Sequence, residues 1–284
     1  MTGVSNVLTK IKRECLIALW KLLPKHTSLR MHNTMFTIPL RRDLAHKIMG
    51  VKREVWMQDI IASVYACDQG AFLDIGANVG QTMLNLKAMF PEVPYLGFEP
   101  NAYCCGYVNE IIQVNQLTHC RIFPVGLGDD ESIAMLFCQN ISDPKGTVVA
   151  DFRGREASLW QQPVLIKHTG RFLASLGVTD IALIKIDVEG YESSVLWGLQ
   201  EILRQRRPFV MCEVLRTHQP GHPSYDFRVA SRKRCEALLH DVDYTMWAAD
   251  AQRIVMLCEQ ICNDYTNYLF APKERQDLVH ALIR

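Results

Sequence analysis

Carboxylates and glycines follow short apolar segments at several points of the chain. Residues of these types, at this spacing, could bind a ligand or take part in a reaction. The first such segment places Asp74 two positions ahead of Gly76, with Asn78 and Gly80 behind it. Glycines at these positions let the backbone turn sharply and come close to a ligand. A dinucleotide site needs a further glycine to receive a pyrophosphate, whereas a carboxylate suits a cationic amino-acid ligand better. The segment therefore argues against an NAD-dependent oxidoreductase.

Two later segments place a carboxylate behind a predicted strand. Glu99, in Phe98-Glu99-Pro100-Asn101, stands where open α/β sheets hydrogen-bond ribose hydroxyls. It can accept from the 2′ and 3′ hydroxyls together, which favours a nucleoside without a 2′-phosphate. Asp129, behind Gly126-Leu127-Gly128, is expected to accept from an adenine amino group or, alternatively, to be a turn residue bonded to its own backbone.

The most specific segment runs from Leu183 to Glu192, where an apolar strand carries Lys185, Asp187 and Glu189 to its end. Unpaired charge is costly to bury, so these side chains need partners or a ligand. The segment therefore indicates a polar site at the end of this strand.

From Ala71 onward, two kinds of predicted secondary-structure element alternate along the chain and position these residues. Short apolar runs rich in β-forming residues alternate with helical patterns, which predicts βαβ units and a parallel sheet. Ile133–Cys138 is predicted as an edge or hairpin strand, and residues 140–165 as a long loop. The predicted strands of the sheet are Ala71–Ile75, Tyr95–Phe98, Arg121–Val125, Ile181–Ile186, Phe209–Glu213, Tyr244–Ala248 and Asn267–Ala271. The predicted helices include Gln81–Met89, Tyr103–Asn115, Ser193–Gln205 and Ser231–His240.

Composition narrows the class of protein. The formal net charge is +1, so the chain offers no strong field for polyanions, and nucleic acid is not an expected partner. The ten cysteines are scattered through apolar segments, with neither the spacing of a zinc site nor a secretory leader ahead of them. We therefore expect reduced thiols, a cytoplasmic location and no metal.

The N-terminal part of the chain contains an amphipathic run from Val7 to Leu23 with lysines and an arginine interleaved. The run is too short and too charged to span a bilayer. We expect a helix that packs on the domain or on a second subunit, and weak contact with a membrane surface is the alternative. We predict an N-terminal extension over residues 1–50 and one catalytic domain over residues 51–284, with the oligomeric state left open.

The segments around Asp74, Glu99 and Asp187, in this order and spacing, resemble the FkbM family of class I methyltransferases. The resemblance runs from about Phe72 to Pro272. It implies a Rossmann-like α/β fold whose seven-stranded, mostly parallel sheet has an antiparallel last strand. It also implies S-adenosylmethionine as methyl donor and a hydroxyl acceptor on a natural product, sugar or glycan. The donor-binding residues that it implies are Asp74, Gly76, Asn78, Gly80, Glu99 and Asp129.

The chemistry of methyl transfer singles out the end of the fourth predicted strand. A neutral hydroxyl is a poor nucleophile, so a positioned base assists its in-line attack on the methyl group. We expect Asp187, with Glu189, to position the acceptor and remove its proton. The structural alternative is that Asp187 pairs with Lys185 or a loop amide and only shapes the site. If Asp187 instead binds the donor, the base would be Glu189, Glu213 or His218.

Two alternative functions and one departure from the family remain at this stage. The chain could be a non-catalytic module that keeps the donor-binding fold, or it could methylate a nitrogen. Where many family members read Thr-Leu-Asp, this chain reads Thr169-Gly170-Arg171, so we do not expect this position to have the substrate-binding or helix-capping role of that aspartate.

Overall fold

The computed structural model describes residues 25–41, 44–49, 55–143, 145–150, 152 and 160–283. The helix predicted between Val7 and Leu23 lies outside these residues. The described strands are β1 (His26–Met31), β2 (Thr34–Pro39), β3 (Ala71–Ile75), β4 (Tyr95–Phe98), β5 (Cys120–Phe123), β6 (Gly126–Gly128), β7 (Ser132–Cys138), β8 (Trp160–His168), β9 (Ile181–Ile186), β10 (Phe209–Glu213), β11 (Tyr244–Ala249), β12 (Ile254–Cys258) and β13 (Asn267–Pro272).

The described helices lie between these strands, and none of them is long and apolar enough to cross a membrane. A short 3₁₀ turn, Lys273–Arg275, precedes the last one. The α-helices are α1 (Ala45–Met49), α2 (Val55–Tyr65), α3 (Gln81–Met89), α4 (Ala102–Val114), α5 (Thr169–Ser175), α6 (Glu192–Gly198), α7 (Gln200–Arg206), α8 (Tyr225–Asp241) and α9 (Gln276–His280).

One large sheet organises the fold, with the strand order β12-β11-β13-β10-β9-β3-β4-β5. Neighbouring strands from β5 to β10 are parallel. β13 runs antiparallel between β10 and β11. The predicted α/β class with an antiparallel last strand is therefore confirmed, and all seven predicted strands belong to this sheet. β12 is an eighth strand beyond those seven, antiparallel to β11 at the edge.

Helices cover both faces of this sheet because its central strands are apolar on both sides. Every residue of β3 and β9 is buried. Successive side chains of a strand point to opposite faces, so Phe72 packs in the cluster that contains α2, α3 and α4. Leu73, its neighbour, packs in the second cluster with α6, α7 and α8. This two-sided burial is typical of a parallel sheet.

A second, smaller sheet has the order β6-β8-β7. The strand predicted at Ile133–Cys138 is confirmed as part of β7, which pairs antiparallel with β8. The loop prediction for residues 140–165 is wrong at its C-terminal end, because β8 begins at Trp160. Pro163 misled the prediction, yet a proline is tolerated on an open strand edge. One edge of β8 pairs with β7, and β6 pairs with the other edge only over Ile166–His168. That other edge is open at Pro163, so no amide donor is needed there.

The described part of the N-terminal region packs on the α/β core. β1 and β2 form an antiparallel hairpin, and the amide of Asn115 at the end of α4 donates to the carbonyl oxygen of Thr37 at 2.8 Å. The hydroxyl of Tyr107 donates to the carbonyl oxygen of Pro39 at 2.9 Å. The division of the chain at residue 50 stays a prediction.

Candidate active site at the ends of the parallel strands

The loop after β3 comes unusually close to the end of β9. Gly76 has a φ of 88°, and a Cβ on this residue would lie 1.9 Å from the carbonyl oxygen of Asp187. The amides of Gly76 and Ala77 both donate to the carbonyl oxygen of Phe98, at 2.9 and 3.1 Å. Only glycine satisfies this conformation and this approach, so the segment holds β3, β4 and β9 together at one edge. Gly80, also at φ 88°, then begins α3.

A buried lysine links three parts of this edge. Nζ of Lys185 lies 3.3 Å from Oδ1 of Asp74 and 3.4 Å from Oδ2 of Asp187. It also donates to the carbonyl oxygen of Gly76 at 3.3 Å. Asp74 is fully buried and accepts a hydrogen bond from the hydroxyl of Tyr95 at 2.7 Å. Lys185 therefore fixes the glycine loop to the carboxylates of two neighbouring strands.

Burial and charge act in opposite directions within this network. Burial raises the pKa of Asp74, and the charge of Lys185 counteracts the effect. Burial would lower the pKa of Lys185, but Asp74 and Asp187 together raise it above its usual value. The lysine is therefore charged throughout the physiological range and neutralises one of the two carboxylates.

Glu99, at the end of β4, joins the loops on either side of it. One carboxylate oxygen accepts from the amide of Asn78 at 2.9 Å, and the other accepts from the amide of Asn101 at 2.8 Å. Burial raises the pKa of Glu99 to about 7, although both amide bonds oppose the rise. Each oxygen retains a second lone pair, so the carboxylate can still accept from two hydroxyls of a ligand.

Glu213 and Asp187 end adjacent parallel strands. Cys212 lies opposite Ile186 in the β10–β9 register, so the next residue of each strand stands side by side. Burial first, and then the facing charge of Asp187, raise the pKa of Glu213 to about 9. Glu213 therefore keeps its proton near neutral pH.

Three cavities meet at this edge of the sheet. The Glu99 cavity has a volume of about 460 Å³ and is lined by Gly76, Asn78, Glu99, Pro100, Asn101, Leu136, Asp143, Lys145, Gly146, Asp187, Glu189, Glu213 and Leu215. The hairpin cavity, of about 490 Å³, lies between the glycine loop, the β1–β2 hairpin, α1, α2 and α3. The Trp56 notch, of about 60 Å³, lies between α2 and the ends of β9, β10 and β13. Asp187 lines all three.

Most of the residues predicted for the site come together here. Gly76, Asn78, Glu99, Asp187 and Glu189 line the Glu99 cavity. Asp74 lies beneath it with no exposed surface, and Gly80 stands at the start of α3.

Asp129 is not brought to this edge. It pairs with the guanidinium of Arg234 on α8, which stacks on the indole of Trp197, and it lines none of the three cavities. The reason is topological, because β5 ends at Phe123 and the chain then enters β6, a strand of the smaller sheet.

Some residues of the site carry no local sequence signal. Tyr95, Trp56 and Asn101 contact the site through the fold, and Asn101 would be recognisable only as a cap, since its side chain accepts from the amides at the start of α4. His218 stacks on His222 with ring centroids 3.7 Å apart and lines none of the three cavities. At Thr169-Gly170-Arg171, where the chain departs from the family pattern, α5 is capped by the ring of His168, which accepts from the amide of Arg171.

Metal chemistry has no ready ligand set in the described part of the chain, where no group of three or more His, Cys, Asp or Glu side chains is placed to hold an ion. The described cysteines are all free thiols. The site instead contains the polar Glu99 cavity, whose Glu99 carboxylate can accept hydrogen bonds from hydroxyl groups. A second carboxylate, that of Asp187, lies where this cavity meets the two other cavities.

Known proteins are similar to this chain in sequence. The model of the methyltransferase FkbM domain matches residues 74–246, more than half of the chain. A relative described as methyltransferase 1, from Beauveria bassiana strain ARSEF 2860, is 26% identical over 150 residues, which cover 47% of this chain and 60% of the relative. The match thus spans less than two thirds of that protein.

The solved structures that the chain resembles are more distant in sequence. The methyltransferase FkbM from Methylobacillus flagellatus KT is 14% identical, with 72% of this chain and 44% of that chain covered and a TM-score of 0.44. A putative caffeoyl-CoA O-methyltransferase from Staphylococcus aureus is 9% identical, with 80% and 88% covered and a TM-score of 0.46. On the strength of the domain match, the chain belongs to the FkbM family of methyltransferases.

Proposed function

We propose that the protein transfers a methyl group from S-adenosylmethionine to a hydroxyl group of a small molecule or sugar. The observation that carries the proposal is the position of Asp187, at the junction of the Glu99 cavity, the hairpin cavity and the Trp56 notch. A donor in the first cavity and an acceptor in the other two would meet beside this carboxylate.

The residues of the Glu99 cavity fit the donor. Its volume of about 460 Å³ lies within the usual range for small-molecule sites. The two oxygens of Glu99, each already held by an amide, would accept from the ribose hydroxyls. The missing Cβ at Gly76 lets the loop pack against the carbonyl of Asp187, so that the loop and the end of β9 line the same cavity. When bound, S-adenosylmethionine supplies a methyl group activated by a sulfonium. The loop residues and Glu99 orient it.

The remaining predicted donor residues act through the loop. Asp74 has no surface to offer a ligand, and we propose that it positions Lys185, and through it the carbonyl of Gly76 and the carboxylate of Asp187. Asn78 and Gly80 shape the turn between β3 and α3.

Asp187 is the proposed base, and Glu189 assists in positioning the acceptor. The lysine bridge holds the carboxylate of Asp187 at the cavity junction, where it would accept the proton of the attacking hydroxyl. Glu189 is held by its backbone, whose carbonyl oxygen accepts from the hydroxyl of Thr147 at 2.7 Å.

The carboxylate at the junction favours a hydroxyl acceptor. Lys185 holds Asp187 there, and Glu213 keeps its proton near neutral pH. A neutral hydroxyl is a poor nucleophile and needs a base such as Asp187, whereas a neutral amine can attack without one. We therefore propose methyl transfer to oxygen instead of nitrogen. The free thiols of the described cysteines fit the cytoplasmic location that we propose.

The test is methyl transfer from labelled S-adenosylmethionine to a panel of polyols, glycosides and amines, with products detected by mass. Asp187→Asn should lower the single-turnover rate by about 10²–10⁴, while its affinity for S-adenosylhomocysteine stays within about threefold of wild type. Asp130→Asn, at an exposed turn outside the cavities, is the matched control. Weaker donor binding with an unchanged chemical step would make Asp187 a donor ligand instead. Donor binding without transfer to any acceptor would favour a non-catalytic module.

A further inference from the structure

Glu189 stands in a strained turn just beyond the end of β9. Its φ is 54°, in the left-handed region that residues other than glycine rarely adopt, and Gly190 follows with a φ of 109°. Such a conformation persists only where the surrounding structure holds it, and it is common at functional sites. Glu189 also lines the Glu99 cavity, so the contacts that hold this turn bear on the reaction.

Contacts from two directions hold the turn. From within β9–α6, the carboxyl group of Glu192 accepts from the amide of Gly190 at 2.8 Å. From the connection between β7 and β8, the hydroxyl of Thr147 donates to the carbonyl oxygen of Glu189 at 2.7 Å. The ring of Phe152, in the same connection, lies so close to Gly190 that an added Cβ would come within 2.4 Å of it. A distant stretch of chain therefore fixes the conformation of Glu189.

The connection is itself attached to the core on both sides of the turn. The backbones of Thr147 and Phe137 exchange two hydrogen bonds, at 2.8 and 3.0 Å, which joins Thr147 to β7. The guanidinium of Arg228, on α8, lies 4.1 Å from the centre of the Phe152 ring and donates to the carbonyl oxygen of Phe152 at 3.2 Å. Thr147 and Phe152 thus hold the Glu189 turn against β7 and α8.

The same connection forms part of the wall of the Glu99 cavity. Asp143, Lys145 and Gly146, shortly before Thr147 in the sequence, line this cavity. A ligand that fills the cavity would pack against these residues and restrain Thr147 behind them. Because the Thr147 hydroxyl is bonded to Glu189, the same ligand would also restrain the strained turn.

We propose that Thr147 is a positioning residue of the methyl-transfer site. Donor bound in the Glu99 cavity fixes the connection between β7 and β8, and the Thr147 hydroxyl then holds Glu189 in its strained turn, two residues beyond Asp187. This inference rests on the proposed function, since it assumes that the donor occupies the Glu99 cavity. It goes further in making the donor the first substrate to bind, because the turn that helps to position the acceptor is fully held only afterwards.

The experiment measures hydrogen exchange of the Gly190 amide by ¹⁵N NMR, with and without saturating S-adenosylhomocysteine. We expect the ligand to slow this exchange by at least about fivefold in the wild type, the lower end of typical coupling between two sites. Thr147→Val keeps the shape of the side chain and removes the hydroxyl, so the ligand should slow the exchange by less than about twofold. Thr147→Ser keeps the hydroxyl and should restore the wild-type response.

The matched control is Thr169→Val. Thr169 is also buried, and its hydroxyl also donates to a backbone carbonyl oxygen, that of Gly128, at 2.9 Å. It lines none of the three cavities, so the variant should respond to the ligand as the wild type does. Should Thr147→Val not fold, Thr147→Ala removes the same hydroxyl and takes its place.

A wild-type response that persists in Thr147→Val would overturn the inference, because the hydroxyl would then carry no coupling. An equal loss of response in Thr147→Ser or Thr169→Val would do the same, since it would indicate general loosening. Calorimetry on the same samples separates the two proposals. No binding of S-adenosylhomocysteine to the wild type refutes the donor site and this inference with it, whereas binding that leaves the exchange of the Gly190 amide unchanged refutes only the role of Thr147.

Discussion

Two acidic regions of the molecule look alike in the sequence and differ in the structure. At the ends of β3, β4 and β9, Asp74 is fully buried, Glu99 and Asp187 line a cavity, and the three carboxylates are bonded to amides, Tyr95 or Lys185. At the β6–α8 corner, Asp129 forms an ion pair with Arg234 in which both side chains are partly exposed. Each region places carboxylates near a predicted strand end. Only the first lies at an edge of the large sheet where cavities converge.

A strand end marks a site only when its strand belongs to the sheet that carries the site. Carboxyl ends of parallel strands in one sheet share an edge, and ligands bind there. β6 belongs to the smaller sheet, so its end points a carboxylate elsewhere. Substitutions in the strand-end cluster of β3, β4 and β9 should therefore affect stability and donor binding more than a substitution at the Asp129 corner.

The largest effect is expected from Gly76→Ala. The new Cβ would lie 1.9 Å from the carbonyl oxygen of Asp187, on a backbone with φ at +88°. We expect a loss of stability above about 3 kcal/mol and a loss of donor affinity above about 100-fold. Gly177→Ala is the control, because φ is +69° there but no atom lies within 4 Å of the added Cβ. It should cost about 1–2 kcal/mol. Urea unfolding and calorimetry with S-adenosylhomocysteine measure both, and equal costs would refute the close approach.

Lys185→Met should have the next largest effect. It leaves the fully buried Asp74 without its counter-charge, which typically costs about 3–5 kcal/mol. The pKa of Asp74, already raised by burial, should rise further. A carboxyl whose folded pKa exceeds its unfolded value loses stability as pH rises through the folded pKa. The deficit relative to wild type should therefore shrink as the pH falls.

The control for this prediction is Asp74→Asn/Lys185→Met, which removes both charges. It should recover more than half of the lost stability, since no uncompensated charge is then buried. Unfolding in urea at pH 5 and pH 8 provides the measurement. A deficit that neither changes with pH nor recovers in the double variant would show that Lys185 contributes by packing alone.

A smaller effect is expected from the titration of Glu99. Ribose hydroxyls would donate to the ionised carboxylate, and the pKa of Glu99 is about 7. The ionised fraction, and with it the affinity for S-adenosylhomocysteine, should fall by about tenfold between pH 8 and pH 6. Glu99→Gln should bind more weakly by about 1–3 kcal/mol and show no such dependence on pH. Parallel pH dependence in the two proteins, followed by calorimetry, would assign the titration to another group.

The smallest effect is expected at the Asp129 corner. An exposed ion pair contributes about 0–1 kcal/mol, and Asp129 lines none of the three cavities. Asp129→Asn should leave the affinity for S-adenosylhomocysteine within about twofold of wild type. A tenfold loss would instead support the adenine contact predicted from the sequence and would erase the contrast between the two regions.

Much of the fold could be predicted because its signals are local. The seven strands of the large sheet are contiguous apolar runs, and the helix predicted at Gln81–Met89 is observed with the same bounds. The residues around Gly76 and Asp187 could be predicted for the same reason, since each motif is one short segment whose backbone and side chains act together.

The rest of the site depends on contacts between distant segments. Trp56 lines the same notch as Asp187 only because α2 packs across the ends of β9 and β10. The protonation of Glu213 arises from burial and from a neighbour on another strand. The surroundings of Asp129 have the same origin, because no local pattern distinguishes a strand of the small sheet from one of the large sheet. The adenine contact expected for this residue stays a prediction.

A crystal structure with S-adenosylhomocysteine tests the proposal that the donor lies in the Glu99 cavity with its reactive sulfur beside Asp187. We expect both ribose hydroxyls within about 2.6–3.2 Å of the Glu99 carboxylate and the sulfur at the rim shared by Gly76 and Asp187. Ribose bound away from Glu99, or adenine stacked at the Asp129–Arg234 pair with the sulfur far from Asp187, would contradict it.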